Sequence, residues 1–397
     1  MVTRLYNGMW RVKLTHKAQG GCRNVSRDQF AVFLSHLLKG SCEEKALMVM
    51  KMIFTAAEGP MKATEVQKFT EDLVTSVVHV LTHRHELRGW TRRKSTVSPT
   101  SVQVMAAQLL SEMKFQDGHK FLGPQCLDQV CDQTVIEDWV FRVPLVGIFL
   151  SVVIHRGLRL QNSFLDLSTL VPECHVDQRQ PFESILDLLS VIYLNSHLAT
   201  ELRQRWRLLF STQLHGQSFS QLCSHITHQG PCLLVLQDRD GYVFGGFTSC
   251  SWEVKPQFQG DNRCFLFSIT PSMAVYTHTG YNDHFMYLNH GQQTMPNGLG
   301  MGGQHHYFGL WVSADFGKGH SKAKPTCTTY NSPQLSAQED FQIDKMEVWE
   351  LGDLSETHLV KSKKSVLDSN PEAQSLLEIS GRARHSKGLR EVPIDDD

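Results

Sequence analysis

The sequence of 397 residues has no excess of charge of either sign. Lys and Arg together number 39, and Asp and Glu number 40, which gives a formal net charge of −1 at pH 7. Proteins that bind nucleic acid through their overall electrostatic field are strongly basic, because bound phosphates need nearby cations. We therefore expect no nucleic acid among the partners of this protein.

The sequence also lacks the cysteine and histidine patterns of common metal sites. Its ten cysteines are scattered without any C-x-x-C pair, and its 20 histidines include no H-E-x-x-H run. These patterns would be needed to predict a zinc site or a thioredoxin-like redox pair. We expect free thiols in a reducing compartment, and we expect neither a metal nor a cofactor.

No apolar run is long enough to cross a bilayer. The longest, Val143 to Ile154, has 12 residues and contains Pro144, whereas a spanning helix needs about 20 residues. It is typical of a buried helix. Residue 2 is Val2, so the Met-Gly start required for N-myristoylation is not in this sequence as given. Any membrane contact is expected to be peripheral and to come from elsewhere in the chain.

Residues 1–82 are predicted to form a helical, EF-hand-like region. Two S-x-x-E/Q capping boxes begin amphipathic stretches, one at Ser26 and one at Ser41. A third apolar stripe at helical spacing runs from Val66 to Leu81. Calcium binding is not predicted near the N-terminus, because no Asp or Glu lies between Met9 and Val25 and calcium loops need several carboxylates.

Two further segments complete the N-terminal half. Residues 83–101 contain five basic residues and end in a Ser, Thr and Pro tract, which indicates an exposed basic linker with potential contact to acidic lipid or protein. Residues 102–168 are predicted to be helical, with helices from Val102 to Met113 and from Val135 to about Ile154.

Residues 169–352 are predicted to form an α+β domain. Helices are expected over Glu183 to Leu194 and over Leu202 to Phe210 continuing into Ser218 to Ile226. From Leu233 to Trp349, short β-type segments alternate with glycine and asparagine turns. This spacing favours an antiparallel sandwich or barrel with helices packed on it.

The stretch GLGMGGQHHYFGLWV has the G-x-G-x-x-G spacing of a dinucleotide-binding turn at Gly298, Gly300 and Gly303. That turn requires a strand before it and a helix after it, so that the helix N-terminus faces the pyrophosphate. Here a polar loop precedes the glycines and a strand-like aromatic run follows them. We interpret the segment as a glycine-rich loop between strands.

If the protein is an enzyme, three residues are candidates for catalysis. These are Cys250 and Cys327 as nucleophiles and Glu253 as a general acid. Each needs a base, an orienting group or a second carboxylate that the sequence does not reveal. The dipeptide Asp240-Gly241 between two strands is typical of a tight hairpin turn rather than of a calcium loop. We assign no catalytic residue and no metal ligand.

Residues 353–397 are predicted to form a polar linker, a short helix and a polar tail. Asn370-Pro371 favours a helix start and Gly381 a stop. The apolar positions Leu376, Leu377 and Ile379 would suit a groove on a partner.

Three stretches of the second half together resemble the TLDc domain. They share its initial G-G-F followed by a Trp, its glycine-rich centre leading into Y-F-G-L-W, and its closing S-P-x-L-S with F-x-I-x-x-x-E-V-W, over about residues 183–352. The resemblance implies a β-sandwich flanked by helices, with an EF-hand-like N-terminal domain. It also implies TOR signalling at the lysosome, association with the vacuolar proton pump (V-ATPase) and resistance to oxidative stress. It carries over no catalytic residues.

We therefore expect a non-enzymatic regulatory protein, cytoplasmic and peripheral at the lysosomal membrane, that binds V-ATPase cytosolic subunits and mTOR pathway components. Members of this type begin with a myristoylated glycine, which this sequence lacks. A redox-protective or hydrolytic enzyme is the alternative. The predicted partner contacts are Asp240, Gly241, Gly302, Gly303, Gln304, His305, His306, Leu376, Leu377 and Ile379.

Overall fold

The computed structural model describes residues 1–13, 24–54, 60–90, 98–115, 118–121, 123–160, 166–176 and 182–352. Within these ranges the α-helices are α1 (Val2–Trp10), α2 (Arg27–Lys39), α3 (Cys42–Ile53), α4 (Ala63–His83), α5 (Pro99–Ser111), α6 (Gln133–Arg142), α7 (Pro144–Val152), α8 (Leu188–Ser196), α9 (Thr212–His215) and α10 (Phe219–Ile226). The strands are β1 (Glu173–His175), β2 (Arg205–Ser211), β3 (Cys232–Asp238), β4 (Val243–Thr248), β5 (Lys255–Gln259), β6 (Phe265–Thr270), β7 (Ala274–Thr277), β8 (Met286–Asn289), β9 (Gly298–Gln304), β10 (Tyr307–Ser313), β11 (Lys318–His320) and β12 (Asp340–Leu351).

Both predicted capping boxes are present. The Ser26 hydroxyl accepts from Gln29 N at 3.1 Å, and Ser41 accepts in the same way from Glu44 N at 3.2 Å. In each box the side chain of Gln29 or Glu44 in turn accepts a hydrogen bond from the backbone N–H of the serine. Because these bonds satisfy N–H groups that a helix start leaves open, α2 and α3 begin where the sequence predicts.

The helix predicted from Val135 to Ile154 is instead two helices, α6 and α7, which meet at an angle of 86°. Pro144 has no N–H to continue the helix, and it favours an extended conformation at the residue before it. Val143 accordingly has φ −116° and ψ 78°. Within the described residues no single helix is long and apolar enough to cross a bilayer, and this bent pair meets that criterion only when its two parts are taken together.

The strands form two sheets that share β12. The first sheet has the order β1-β2-β12-β3-β4-β6-β7, and the second has the order β5-β8-β9-β10-β11-β12. The start of β12 pairs with β11, and its later residues pair with β3 and β2. Only the β1–β2 pair among these described strands is parallel.

The two sheets face each other across one apolar core. Leu234 and Leu266 of the first sheet and Met301 and Leu310 of the second are at most 1% exposed and belong to the same buried cluster. The opposite face of the first sheet packs on the helices in a second cluster that continues through α1 to α8. The α+β class and the sandwich flanked by helices are therefore confirmed, whereas the EF-hand-like character of the N-terminal region stays a prediction.

Residues 205–210, predicted as part of the helix from Leu202 to Phe210, belong instead to strand β2. Trp206 is fully buried against the helices, while Arg205 and Arg207 are half-buried. Arg207 pairs with Glu350 on the neighbouring strand at 2.6 Å. The alternation of half-buried and buried side chains at Arg205, Trp206 and Arg207 and the pairing with β12 outweigh the intrinsic helix preference of Leu and Arg. Tertiary contacts of this kind override local propensity.

The first part of the predicted basic linker is packed on the fold. The Trp90 ring packs edge-on to Trp206 and at a tilt to Trp349, with centroid distances of 5.4 and 5.0 Å, and its Nε1 donates to Pro172 O at 2.8 Å. Arg84 donates to Arg156 O. Residues 84–90 are therefore held against the fold, with Leu87 buried. Residues 91–97 of the predicted linker lie outside the described residues, and residues 99–101 begin α5.

A buried carboxylate holds the segment before α8. Glu347 on β12 is 2% exposed. It accepts hydrogen bonds from Ile185 N at 2.7 Å, from Ser184 Oγ at 2.8 Å and from Trp349 Nε1 at 3.0 Å. Burial raises the pKa of Glu347 to about 7, against the lowering effect of these donors.

Candidate functional site

The Asp240-Gly241 dipeptide is an exposed hairpin turn between β3 and β4, as predicted. Gly241 has φ +84°, and a side chain added there would meet open space. Asp238 at the end of β3 is 2% exposed. Its carboxylate accepts from Tyr242 N at 2.8 Å and from Ser336 Oγ at 2.5 Å. A buried acid thus fixes the turn, and Asp240 and Gly241 stay at the surface.

The glycine-rich segment predicted as a loop is strand β9, which pairs with β8 and β10. The prediction was wrong because a strand rich in glycine has no propensity signal of its own. On one face, rings cover the glycines, since a side chain added at Gly298 or Gly300 would collide with Trp311 or Phe308. The glycines allow close packing of aromatic rings on the sheet.

Gly302 and Gly303 shape the β9–β10 turn and are themselves buried. Their φ angles are +69° and +84°, a backbone region that only glycine adopts readily. A side chain on Gly302 would meet Tyr330 and Cys327 at 2.6 to 2.7 Å, and one on Gly303 would collide with Tyr307 O. The structure therefore gives these two predicted contact residues a conformational role within the fold.

The turn presents its neighbours outward. Gln304 and His306 are exposed, and Tyr307 is 60% exposed. His305 is half-buried beside Phe258, with a centroid distance of 5.5 Å, and burial lowers the pKa of His305, with a further lowering by His306 and His284.

Two other loops brace this turn through a chain of hydrogen bonds. Gly303 N donates to Thr329 Oγ1 at 2.9 Å, and Thr329 Oγ1 donates to Asn282 Oδ1 at 2.6 Å. The Nδ1 atom of His284 lies 2.5 Å from Gly303 O. The loop of Asn282 also carries Tyr281, which is 77% exposed. We call the four exposed residues Tyr281, Gln304, His306 and Tyr307 the tyrosine surface.

Sequence reasoning missed Tyr281 and Tyr307. Tyr307 was assigned to the apolar strand that follows the glycines, and nothing in the alternation of that strand indicates that its first residue is exposed. Tyr281 lies in the run T-G-Y-N-D, whose Gly, Asn and Asp are typical turn residues. An aromatic residue inside such a turn was the available signal, because turns lie at the surface.

Both predicted turns lie at the end of the sandwich where β12 begins. Arg239 N, beside the Asp240-Gly241 turn, donates to Gln342 O at 3.0 Å. Asp340 at the start of β12 pairs with His320, and Lys322 N donates to Phe308 O at 3.0 Å. The start of β12 thus contacts the hairpin turn through Gln342. Through His320 and the neighbouring Lys322, it also reaches Phe308, which follows Tyr307 of the tyrosine surface.

Comparison with known proteins identifies the family of this chain. The TLDc domain model matches residues 180–352. MTOR-associated protein MEAK7 of Mus musculus is 79% identical over 397 residues, and that of Homo sapiens is 72% identical over 396 residues. Each alignment covers 100% of this chain and 87% of the relative. The chain belongs to the MEAK7 family of TLDc-domain proteins. Nuclear receptor coactivator 7 of Mus musculus is 31% identical over 172 residues, which are 43% of this chain and 17% of that protein.

Within this MEAK7-family chain, the pKa values of the three enzyme candidates are shifted by their surroundings. Cys327 is 1% exposed, and burial raises its pKa. Burial also raises the pKa of Cys250, whose Sγ lies 3.7 Å from Met286 Sδ. Glu253 is exposed beside Lys255 at 2.8 Å, and the hydrogen bond from Lys255 lowers its pKa. A nucleophilic thiol and a general acid need the opposite shifts, namely a lowered thiol pKa and a raised carboxyl pKa.

The remaining predicted sites divide between described and undescribed residues. Among the described residues, no three His, Cys, Asp or Glu side chains are placed to hold a metal ion. A cavity of about 420 Å³ between Trp90, Phe182 and Ser184 includes none of the predicted contact residues in its lining. Leu376, Leu377 and Ile379 lie outside the described residues, so their predicted helix stays a prediction.

Proposed function

We propose that this chain is a regulatory protein of the mTOR pathway that acts by contact with other proteins. The observation that carries the proposal is the 79% identity over the full 397 residues to a protein named for its association with mTOR. At this level of identity, both the core and most of the surface are shared. An association made through that surface is therefore expected to be shared as well.

The finer proposal is that the TLDc domain binds the cytosolic sector of the V-ATPase, at the lysosomal membrane. Its support is the resemblance to the TLDc family together with the shape of the tyrosine surface. Tyrosine is enriched in the energetic centres of protein interfaces. Hydrogen bonds to Thr329 and Asn282 brace the loops beneath it, so little conformational entropy is lost when a partner binds.

A contact function fits the described residues better than a catalytic one. The exposed carboxylate of Glu253 is paired with Lys255, and the thiols of Cys250 and Cys327 have raised pKa values. The redox-protective or hydrolytic alternative needs a base near one of these groups. His228 acts on Glu253, and Asp261 on Cys250, through charge alone. No described hydrogen bond or ion pair joins a His or Asp side chain to any of the three.

The test is co-precipitation of the full chain from cells, with mTOR and V-ATPase cytosolic subunits as the measured partners. The double variant His306→Ser/Tyr307→Ser should lose the pump subunits, because it removes half of the tyrosine surface. The matched control is Val254→Ser, which is also exposed, at 43%. Val254 precedes Lys255, whose partner Leu288 lies toward the far end of β8 from His284.

The mTOR part and the V-ATPase part of the proposal are contradicted by different results. Absence of mTOR from precipitates of the unaltered chain would contradict the regulatory assignment. Recovery of mTOR without any pump subunit would contradict the V-ATPase part alone. If the double variant and the control bind the pump subunits equally, the tyrosine surface is not part of the contact with the V-ATPase.

A further inference from the structure

Two histidines meet at the end of strand β2. His215 of α9 and His225 of α10 have ring centroids 4.3 Å apart. Both rings also contact Phe210 of β2, at centroid distances of 5.6 and 6.0 Å. Since Phe210 is fully buried, the two imidazoles join α9 to α10 over an aromatic ring of the core.

A backbone donor favours the neutral form of His215. The N–H group of Ser211 donates to His215 Nδ1 at 3.0 Å, so this nitrogen offers a lone pair and carries no proton. Ser211 is 2% exposed. A proton added to Nδ1 would break this bond and leave the N–H group of a buried residue without its acceptor, which is unfavourable.

His225 opposes a charge on His215 in a second way. Its Nδ1 lies 2.7 Å from Gln221 O. Because a carbonyl oxygen only accepts, this Nδ1 carries the proton, and Nε2 is the nitrogen that takes a second one. A charged His225 repels a charged His215, since their rings are adjacent. Burial lowers the pKa of His215, and His225 lowers it further.

Other titratable groups lie on the elements around the pair. They are Asp344, Lys345 and Glu347 on β12, Asp315 and Lys318 at the start of β11, and His290 beside the start of α10. Glu347 accepts from Ile185 and Ser184, and Asp315 pairs with Lys318 at 3.9 Å. Helices α9 and α10 contain no Asp, Glu, Lys or Arg. Within these two helices, the histidines are therefore the groups that change charge near neutral pH.

We propose that the pair His215–His225 is a pH-sensitive switch, which holds the end of α9 on β2 at neutral pH and releases it in mild acid. The contribution of His215 to stability is fully present above the ordinary histidine pKa of about 6.5. It is lost as the pH falls from there through the lowered pKa of the folded form. The start of α9 keeps its own bond, from Met346 N to Thr212 Oγ1 at 3.1 Å. The released state thus exposes Phe210 while the sheet stays folded.

The experiment is hydrogen exchange of the purified full chain at about pH 7.5 and about pH 5.5, measured as protection relative to the intrinsic exchange rate at each pH. Peptides that span residues 211–216 should lose protection by about tenfold or more at the lower pH. A released histidine with a pKa of about 6.5 is protonated about ten times more often than not at about pH 5.5, which gives this factor. Peptides of β4 should keep their protection. A matching fall there would show global unfolding and overturn the proposal.

Two variants separate the parts of the switch. His215→Asn keeps an acceptor for Ser211 N, because the Asn oxygen takes the place of Nδ1, but it does not titrate. Its protection at residues 211–216 should be equal at the two pH values. His225→Asn should keep part of the fall, since it removes the repulsion alone. The matched control is His228→Asn, because His228 is exposed and has φ +62°, which Asn tolerates. It should lose protection in acid like the unaltered chain.

No fall in the unaltered chain, or a fall of the same size in His215→Asn, would overturn the proposal. If His215→Asn is unprotected at both pH values, His225→Asn decides. A smaller fall than in the unaltered chain then supports the switch, and an equal fall overturns it. The measurement needs no partner, so its failure leaves the proposed function untouched.

Discussion

The buried carboxyl of Glu347 makes the stability of the fold depend on pH in a defined direction. Its side chain lies inside the first sheet and is 2% exposed. Burial raises its pKa from 4.5 to about 7. The folded state therefore holds the proton more tightly than the unfolded state. The contribution to the unfolding free energy is fully present below about pH 4.5 and is lost as pH rises through about 7.

The size of the effect follows from the same two values. A rise from 4.5 to about 7 corresponds to about 3 kcal/mol, at about 1.4 kcal/mol for each tenfold change in proton affinity. Glu347→Gln removes this titration. It also leaves a single carbonyl acceptor for the donors Ile185 N, Ser184 Oγ and Trp349 Nε1. We expect lower stability at every pH, but a smaller fall in stability between pH 4.5 and 7.

Urea unfolding at a series of pH values measures this difference, with the tryptophan fluorescence of the whole chain as the probe. The fall in unfolding free energy from pH 4.5 to 7 should be about 3 kcal/mol smaller in Glu347→Gln than in the unaltered chain. The control is Glu183→Gln, which changes an exposed carboxylate two residues from Ile185. If Glu347→Gln keeps the slope of the unaltered chain, Glu347 is not the titrating group.

Three further changes test other parts of the account. Gly303→Ala should lower the unfolding free energy by at least about 2 kcal/mol, because both φ and space forbid a side chain, whereas Gly241→Ala at the same φ but in open space should cost about 1 kcal/mol; equal losses in thermal unfolding would refute the steric part. Glu253→Gln should leave partner binding unchanged in co-precipitation, and loss of function on this change would favour the enzyme alternative. Deletion of residues 366–397 should weaken partner binding without lowering the melting temperature of the domain, and unchanged binding would reject the tethered helix.

The sequence predicted local starts of structure well where a single residue determines them. Ser26 and Ser41 begin their helices, and Gly241 lies in its hairpin turn, because each choice depends on the nearest few residues. The α+β class followed from the change in periodicity along the chain.

The sequence failed where distant residues decide the structure. Residues 205–211 are a strand because β1 and β12 pair with them, and β9 is a strand because rings from β10 cover its glycines. Residues 84–90 are packed because Trp90 reaches Trp206 and Trp349. Neither the periodicity nor the composition of a segment shows which distant residues will pair with it or pack on it.

For the candidate site, the partner-contact role of the predicted residues stays a prediction, and the structure adds where each residue lies. The sequence selected the β9–β10 turn from Gly302 to His306. Gly302 and Gly303 are buried parts of the turn, and the exposed side chains include Tyr307 and Tyr281. Exposure at a turn depends on which way the backbone leaves the sheet, and the positive φ of the two glycines sets that direction.

Site-specific photo-cross-linking from position 307 in cells tests the central claim most directly. A photoreactive amino acid at Tyr307 should form cross-links to mTOR or to a V-ATPase cytosolic subunit, and the same group at Val254 should not. Cross-links of equal yield from both positions, or to neither protein from position 307, would contradict a function based on contact through the tyrosine surface.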